Sequence, residues 1–271
     1  MRFLPKLPAR SLAKEPRASK QQWEWSGDGN ASIRVAGHSH NSAYVMAIGK
    51  GLVAGVAVLR PGSQFDPSAR PVVDAAYWRI ACGAQSRVLA VAWNGNQQNL
   101  HFLFDFEEPL RLHNCGEQGT VVPASMISAF WEKTLVELEQ FKGSVHAEQF
   151  VLLGTPPPKS EEAVRAALTR GREPRLFEAA AAAGESVETI RITPTAVRVG
   201  LWTILQGDLE AWAARIGAIF VPVPASAHNA DGCLKPEYSY PDVSHANGEF
   251  GALMLGEIEA ALARTEEQQG D

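Results

Sequence analysis

The sequence has few cysteines and no long apolar run, and each shortage excludes a class of protein. Its three cysteines, at positions 82, 115 and 233, are odd in number and widely spaced among 271 residues. A disulfide framework needs paired cysteines and an oxidising compartment, so reduced thiols in a cytoplasmic protein are expected. No stretch approaches the roughly 18 consecutive apolar residues of a transmembrane helix, so no transmembrane segment is predicted.

Positive charge is also scarce. The chain has 25 lysines and arginines against 30 aspartates and glutamates, which gives a formal net charge of −5 and a pI near 5.8. Proteins that bind nucleic acid neutralise its phosphates with a basic face. Nucleic acid is therefore not an expected partner.

The basic residues that do occur are concentrated at the N-terminus. Residues 1–20 contain six of them against Glu15 as the single acid, together with prolines that oppose a long helix. No apolar segment of the kind found in a secretory signal follows them. Residues 1–28 are therefore predicted to be a polar tail, which is either solvated along the domain or used as a basic arm for an anionic partner.

What the sequence does contain is a regular alternation of apolar runs and helical patterns. The apolar runs predict five buried strands, at 31–37, 55–59, 87–93, 150–154 and 218–223. Amphipathic helices separate them, so we expect an α/β fold: a three-layer α/β/α sandwich around a central five-stranded parallel sheet. A single domain is predicted at 29–265, followed by a polar tail at 266–271. It would include a helical insert at about 159–192, either packed on the domain or acting as a lid.

One stretch near the C-terminus, Pro241–Gly251, combines a carboxylate with an imidazole. Asp242 precedes His245 by three residues at the start of a helical turn, a spacing that puts both on one face. Asp242 could then hold the Nδ1–H of His245 and leave Nε2 free to accept a proton, which is the base half of a serine-hydrolase triad. Such a pair also occurs simply as a helix-start aspartate beside a solvated histidine.

A matching nucleophile follows the first predicted strand. Ser39 lies in the turn that leaves this strand, and Gly62, Asn96 and the loop of Asp242 and His245 also follow predicted strands. The carboxyl ends of parallel strands meet at one rim, where ligands collect. The sequence therefore predicts that Ser39 and His245 meet at this rim.

These motifs resemble those of the SGNH (GDSL-like) hydrolase superfamily, over roughly Ile33 to Leu262. The last block of that family matches Asp242-Val-Ser-His245. Its first block, Gly-Asp-Ser, is similar to Gly37-His-Ser39, with His38 in place of the aspartate. Its third block, Gly-x-Asn-Asp, is matched in part by Asn94-Gly-Asn-Gln97, and its second-block glycine falls on Gly62.

The resemblance implies a flavodoxin-like fold of the SGNH-hydrolase type and catalysis through an acyl-enzyme. Ser39 would be the nucleophile, His245 its general base and Asp242 the group that orients the imidazole. The amides of Ser39 and Gly62 and the side chain of Asn96 would form the oxyanion hole. The implied reaction is hydrolysis of a small-molecule or carbohydrate ester, with a small acyl group such as acetyl. It needs no metal and no cofactor, and the oligomeric state is left open.

Three other interpretations remain open. The same acyl-enzyme could transfer its acyl group to a sugar, as an O-acyltransferase does. The altered blocks, with His38, Asn94 and Gln97 where the family has aspartate, glycine and aspartate, also fit a catalytically weak glycan-binding or accessory protein. His38 and His40 form an H-x-H pair, which could hold a metal in a metallohydrolase.

Overall fold

The computed structural model describes residues 23–61, 75–93, 102–105, 110–112, 120–170 and 174–270. The described strands are β1 (Trp23–Gly27), β2 (Ile33–Gly37), β3 (Val56–Pro61), β4 (Val88–Ala92), β5 (Leu110–Leu112), β6 (Thr120–Val122), β7 (Gln149–Leu153) and β8 (Ile219–Val221). The described helices are α1 (Asn41–Gly49), α2 (Ala75–Cys82), α3 (Ala124–Lys142), α4 (Glu161–Leu168), α5 (Pro174–Ala182), α6 (Thr195–Ile216) and α7 (Gly248–Gly270).

The central sheet has six strands among the described residues, in the order β1-β3-β2-β4-β7-β8. Five of them, β2, β3, β4, β7 and β8, run parallel and are the five predicted strands. The α/β class and the parallel core of the sheet are therefore confirmed, but the predicted number of strands was one too low. A separate short parallel pair is formed by β5 and β6.

The additional strand, β1, runs antiparallel to β3 at the edge of the sheet. It lies within residues 1–28, so the predicted tail boundary has to move to before Trp23, while residues 1–22 lie outside the described part of the chain. Trp23 is buried edge-on against Tyr77, with ring centroids 4.9 Å apart. Burial of this indole explains why the segment adds to the sheet although basic residues precede it.

Helices cover both faces of the sheet and complete the three layers. Successive residues of β4 point to opposite faces of the sheet. Leu89 and Val91 face α2, α3 and α6, whereas Val88 and Ala90 face α1 and α7. Strands buried on both faces read as continuous apolar runs, which is why they were recognisable in the sequence.

The predicted insert at about 159–192 contains α4 and α5 and builds a small core of its own. This cluster also includes Leu103, Phe104 and Val243. Val243 directly follows Asp242. The insert is therefore packed against the loop that carries the predicted Asp242–His245 pair.

The last helix is longer than predicted. α7 continues to Gly270, so residues 266–270, which were predicted to belong to a polar tail, are helical. Glutamate and glutamine are good helix formers, and no proline interrupts this stretch. None of the helices in the described ranges is both long enough and apolar enough to cross a bilayer.

The start of α7 packs closely on α1 because glycines replace side chains at the contact. A Cβ atom on Gly251 would lie 2.4 Å from the carbonyl oxygen of Ala43, and one on Gly248 would lie 3.0 Å from the backbone of Met46. The packing brings His245, just before α7, close to the turn before α1 that carries Ser39.

Replacing Gly251 with alanine should destabilise the protein, because the added methyl group meets the backbone of α1, which cannot rotate away. We expect a loss of about 1–3 kcal/mol in the free energy of unfolding, measured by urea denaturation. Gly256→Ala is the matched control on the same helix, since nothing lies within 4 Å of a Cβ placed there. It should be neutral or stabilising by up to about 1 kcal/mol. Equal effects of the two substitutions would contradict the packing argument.

Candidate active site

Asp242 and His245 form a hydrogen-bonded pair. The Nδ1 of His245 lies 2.6 Å from Oδ2 of Asp242, and because a carboxylate only accepts, Nδ1 carries the proton. The other carboxylate oxygen, Oδ1, accepts the backbone amides of Ser244 at 2.9 Å and His245 at 2.7 Å. Nε2 is therefore the nitrogen of His245 that remains available as a proton acceptor, on a side chain that is 26% exposed.

The loop that carries this pair is fixed by its own backbone and by the cap of α7. The amide of Tyr240 donates to the carbonyl of His245 at 3.0 Å. Asn247 caps α7, since its Oδ1 accepts the amide of Phe250 at 3.2 Å, and its Nδ2 donates to the carbonyl of Glu237 at 2.7 Å. The Asp242–His245 pair consequently sits in a braced turn at the N-terminal end of a long helix.

Ser39 lies in the turn between β2 and α1, and it is exposed. Its carbonyl accepts the amide of Ser42 at 3.2 Å as the helix begins. Its own amide donates to no acceptor within the described part of the chain. An open amide just ahead of α1 stands at the positive end of the helix dipole, where negative charge is stabilised.

The Ser39 turn is held by a buried network around Tyr77. The Tyr77 hydroxyl donates to the carbonyl of Gly37 and accepts its amide, both at 2.8 Å. The Asn41 side chain donates to the same hydroxyl at 2.9 Å and to the carbonyl of Leu59 at 3.2 Å. These contacts hold both ends of the turn in place.

His40 lies between this turn and the Asp242–His245 pair. Its ring is buried against that of His245, with centroids 5.1 Å apart. Because Ser39 immediately precedes His40, the turn that carries Ser39 lies beside the loop that carries His245. The structure thus pairs Asp242 with His245 directly, and joining Ser39 to this pair stays a prediction.

His38 occupies a different environment from His40. Its ring packs against Trp93 at 4.9 Å and Trp78 at 5.8 Å between centroids, on the side of the sheet covered by α2. The two imidazoles of the H-x-H motif therefore pack against different rings. Nor do the described residues contain a group of three or more histidine, cysteine or acidic side chains arranged to hold a metal ion.

Both buried histidines resist protonation. Burial lowers the pKa of His38 to about 4. Burial, with a further contribution from His245, lowers the pKa of His40 to about 3. An unfolded chain would take up these two protons near pH 6.5, whereas the folded chain does not.

The free energy of unfolding should therefore fall as the pH is lowered from about 6.5 towards 4. Each histidine contributes a slope of about 1.4 kcal/mol per pH unit in this window, because only the unfolded state binds its proton. His40→Asn should reduce the slope by one proton, and asparagine also suits the N-cap position that His40 occupies. Urea denaturation at several pH values measures the slope. An unchanged slope in the variant would show that His40 is protonated in the folded state.

Two further predicted residues, Gly62 and Asn96, lie outside the residues that the structure describes. Their assignment to the oxyanion hole stays a prediction. Of the three predicted donors, the described structure locates only the amide of Ser39.

One side chain that contacts Asp242 has no counterpart among the predicted site residues. Lys159 is buried, and its Nζ lies 3.2 Å from Oδ1 of Asp242 and 2.6 Å from the carbonyl oxygen of the same residue. Burial alone would raise the pKa of Asp242. The hydrogen bonds and charge of His245, with the charge of Lys159, outweigh burial and hold it below its ordinary range. Asp242 is therefore an anion at any ordinary pH.

A signal for Lys159 was present in the sequence. It follows Pro156-Pro-Pro158 at the end of a predicted strand, at the same rim as the other site residues. Lysine is rarely buried unless it is paired, so sequence pattern alone favours a solvated side chain at this position.

No protein-family model matches this chain, and no curated protein matches it. Among solved structures, the chain is similar to a GDSL-like lipase from Bacteroides thetaiotaomicron, with 10% identity, a TM-score of 0.46 and coverage of 86% of this chain and 88% of the other.

Two further solved structures are similar over most of their length. One is a carbohydrate acetylesterase from Sinorhizobium meliloti, with 13% identity, a TM-score of 0.43 and coverage of 87% of this chain and 99% of the other. The second is the periplasmic domain of a lipopolysaccharide acetyltransferase from Salmonella ser. Paratyphi A, with 12% identity, a TM-score of 0.44 and coverage of 87% and 85%. The function of this chain is accordingly inferred from its own residues.

Proposed function

We propose that this chain is a serine ester hydrolase in which Ser39 is the nucleophile, His245 the general base and Asp242 the group that orients the imidazole. The observation that carries the proposal is the 2.6 Å hydrogen bond between Nδ1 of His245 and Oδ2 of Asp242. This bond fixes the tautomer whose Nε2 accepts a proton. The exposed Ser39 is in the neighbouring turn.

The proposed reaction has two steps. Ser39 Oγ attacks the ester carbonyl carbon while Nε2 of His245 takes the hydroxyl proton, and the Asp242 carboxylate stabilises the imidazolium that forms. Collapse of the tetrahedral intermediate breaks the ester bond, and Nε2 returns the proton to the leaving alcohol. Water, deprotonated by the same nitrogen, then attacks the acyl group on Ser39. Collapse of this second intermediate breaks the bond to Ser39 Oγ, which takes the proton back from Nε2, and the acid is released.

The developing oxyanion needs neutral donors that are already in place. The amide of Ser39 is open among the described residues and lies at the N-terminal end of α1. We assign it as one donor. Gly62 and Asn96 are proposed as the other two, on the resemblance of their motifs alone.

The proposed substrate is an ester of a small acyl group, such as acetyl, with a carbohydrate hydroxyl. The resemblance of the Ser39 and Asp242–His245 motifs to the SGNH superfamily supports this choice. The exposure of Ser39 also supports it, because an exposed nucleophile can approach an ester on a bulky alcohol.

The experiment that tests the proposal combines a substrate panel with an active-site label. Purified protein is assayed on p-nitrophenyl esters of increasing acyl length and on acetylated mono- and oligosaccharides, and is treated with a fluorophosphonate probe. We expect the acetyl esters to be cleaved fastest and the probe to attach to Ser39. Analysis of products in the presence of excess free sugar separates hydrolysis from acyl transfer. A folded protein that neither cleaves any ester nor reacts with the probe would instead be an accessory protein.

A further inference from the structure

Lys159 is a buried cation placed directly behind the Asp242–His245 pair, and the proposed two-step reaction does not use it. Its side chain is 1% exposed, and that of Asp242 is 11% exposed. Three acceptors surround its ammonium group: the carbonyl oxygen of Tyr240, the carbonyl oxygen of Asp242 at 2.6 Å and Oδ1 of Asp242 at 3.2 Å. Every one of these acceptors belongs to the loop that carries the pair.

A buried ammonium group is unfavourable unless an anion and hydrogen-bond acceptors compensate for the lost water. Asp242 supplies that anion. Oδ1 of Asp242 thus receives three donors, from Lys159, Ser244 and His245, while Oδ2 receives the imidazole of His245. With both oxygens occupied in this way, the carboxylate has no freedom to rotate away from the histidine.

The segment that carries Lys159 is itself held firmly in place. Pro156, Pro157 and Pro158 are all buried, and because proline has no N–H, this segment crosses the interior without unsatisfied donors. The carbonyl of Lys159 accepts Nη1 of the fully buried Arg198 at 2.7 Å. This rigid segment therefore fixes the position of Lys159. Lys159 in turn fixes the loop of Asp242 through its hydrogen bonds.

We propose that Lys159 is a positioning residue for the Asp242–His245 pair: it locks the carboxylate against the imidazole and adds a fixed positive charge behind it. This inference rests on the proposed function, because it assigns Lys159 a role in positioning the proposed general base, His245. The role differs from packing, since a neutral side chain of the same length would fill the space but supply neither the charge nor the donors.

The charge has a consequence for the pH dependence of the reaction. Among the described residues, the charged and titratable groups around His245 are Asp242 from its own loop, His40 from the turn before α1, and Lys159, which contacts Asp242 from the segment before α4. A positive charge opposes protonation of the nearby imidazole. Removing the charge at position 159 makes that protonation easier, so the acidic limb of the rate profile moves to higher pH.

The test compares kcat/KM as a function of pH for the unmodified protein and three variants. Lys159→Met should lower the plateau of kcat/KM by about 10–100-fold, by analogy with the loss of groups that orient metal-bound histidines. It should also move the acidic limb upward by up to about one pH unit. Lys159→Arg keeps the charge and should leave the limb in place, whatever its effect on the plateau. Lys50→Met is the matched control, because Lys50 also pairs with a carboxylate, Glu249, but on the surface.

A role in packing alone predicts a different pattern. If Lys159→Met and Lys159→Arg lower the plateau equally and neither moves the acidic limb, the positioning role is wrong. Should Lys159→Met fail to fold, Lys159→Gln takes its place, since it is neutral and can still donate to a carbonyl.

One further measurement separates this inference from the proposed function. The proton on Nδ1 of His245, held in a short hydrogen bond to a carboxylate, should give a far-downfield ¹H NMR signal that does not depend on any ester being cleaved. We expect the signal in the unmodified protein and in Ser39→Ala, and its loss or broadening in Lys159→Met. A signal that is unchanged in Lys159→Met would overturn the inference even if the protein is an esterase. Its loss there would support the inference even if no ester is hydrolysed.

Discussion

Ser39→Ala should abolish ester hydrolysis and leave the protein folded. Without the hydroxyl no acyl-enzyme can form, and removing the nucleophile of a Ser-His-Asp site lowers kcat by about 10⁴-fold or more. Stability should change by less than about 0.5 kcal/mol, because the Ser39 side chain is exposed and makes no hydrogen bond within the described structure. The rate is measured on the best acetyl ester, and the fold by circular dichroism and urea denaturation.

The control for this variant lies one turn further along the chain. Ser42 is in α1, three residues after Ser39, so Ser42→Ala removes the same atom from the same helix end. It should retain nearly the full rate and its fluorophosphonate labelling. Retention of most of the turnover in Ser39→Ala, or attachment of the probe to another serine, would show that Ser39 is not the nucleophile.

Asp242→Asn should lower kcat by about 10⁴-fold with little change in KM. An asparagine amide can donate to Nδ1 of His245, which would then accept and leave the proton on Nε2. The histidine would be present in the wrong tautomer and could not remove the proton of Ser39. The loss of the anion would also leave Lys159 buried without its counter-charge, at a cost of about 3–5 kcal/mol in the free energy of unfolding.

Two comparisons identify the source of this effect. Asp231→Asn removes an exposed carboxylate from the same loop region and should change neither rate nor stability. Adding Lys159→Met to Asp242→Asn removes the uncompensated cation, so it should restore much of the lost stability while the rate stays low. Recovery of the rate along with the stability would mean that Asp242 acts by holding the fold and not by setting the tautomer.

The architecture of this protein follows from local sequence patterns. Strands such as β4 lie between two layers of helices, so every position is apolar and the run is visible without any partner. The Asp242–His245 pair could be predicted from the sequence equally well, because its geometry depends on a three-residue spacing within one turn. Edge strand β1 was harder to predict from the sequence, since the burial of Trp23 depends on Tyr77, which lies on another element.

Other features of the site were decided by the tertiary structure. Contact between His40 and His245 requires α7 to lie on α1, and this depends on the glycines at 248 and 251 meeting a backbone about 200 residues away in sequence. Lys159 meets Asp242 across 83 residues, after a buried run of prolines. Neither contact is signalled by a periodic pattern in the local sequence.

Sequence by itself therefore determined which segments are strands and helices and which residues can perform acid–base and nucleophilic chemistry. The tertiary structure decided which of these residues are buried together, and so which are neutral and which are charged. His38 and His40 stay neutral because folding removes water from around them. Folding also buries Lys159 beside the carboxylate of Asp242. The free energy of a charge depends on that surrounding water and on distant partners, and neither is encoded at the position of the residue itself.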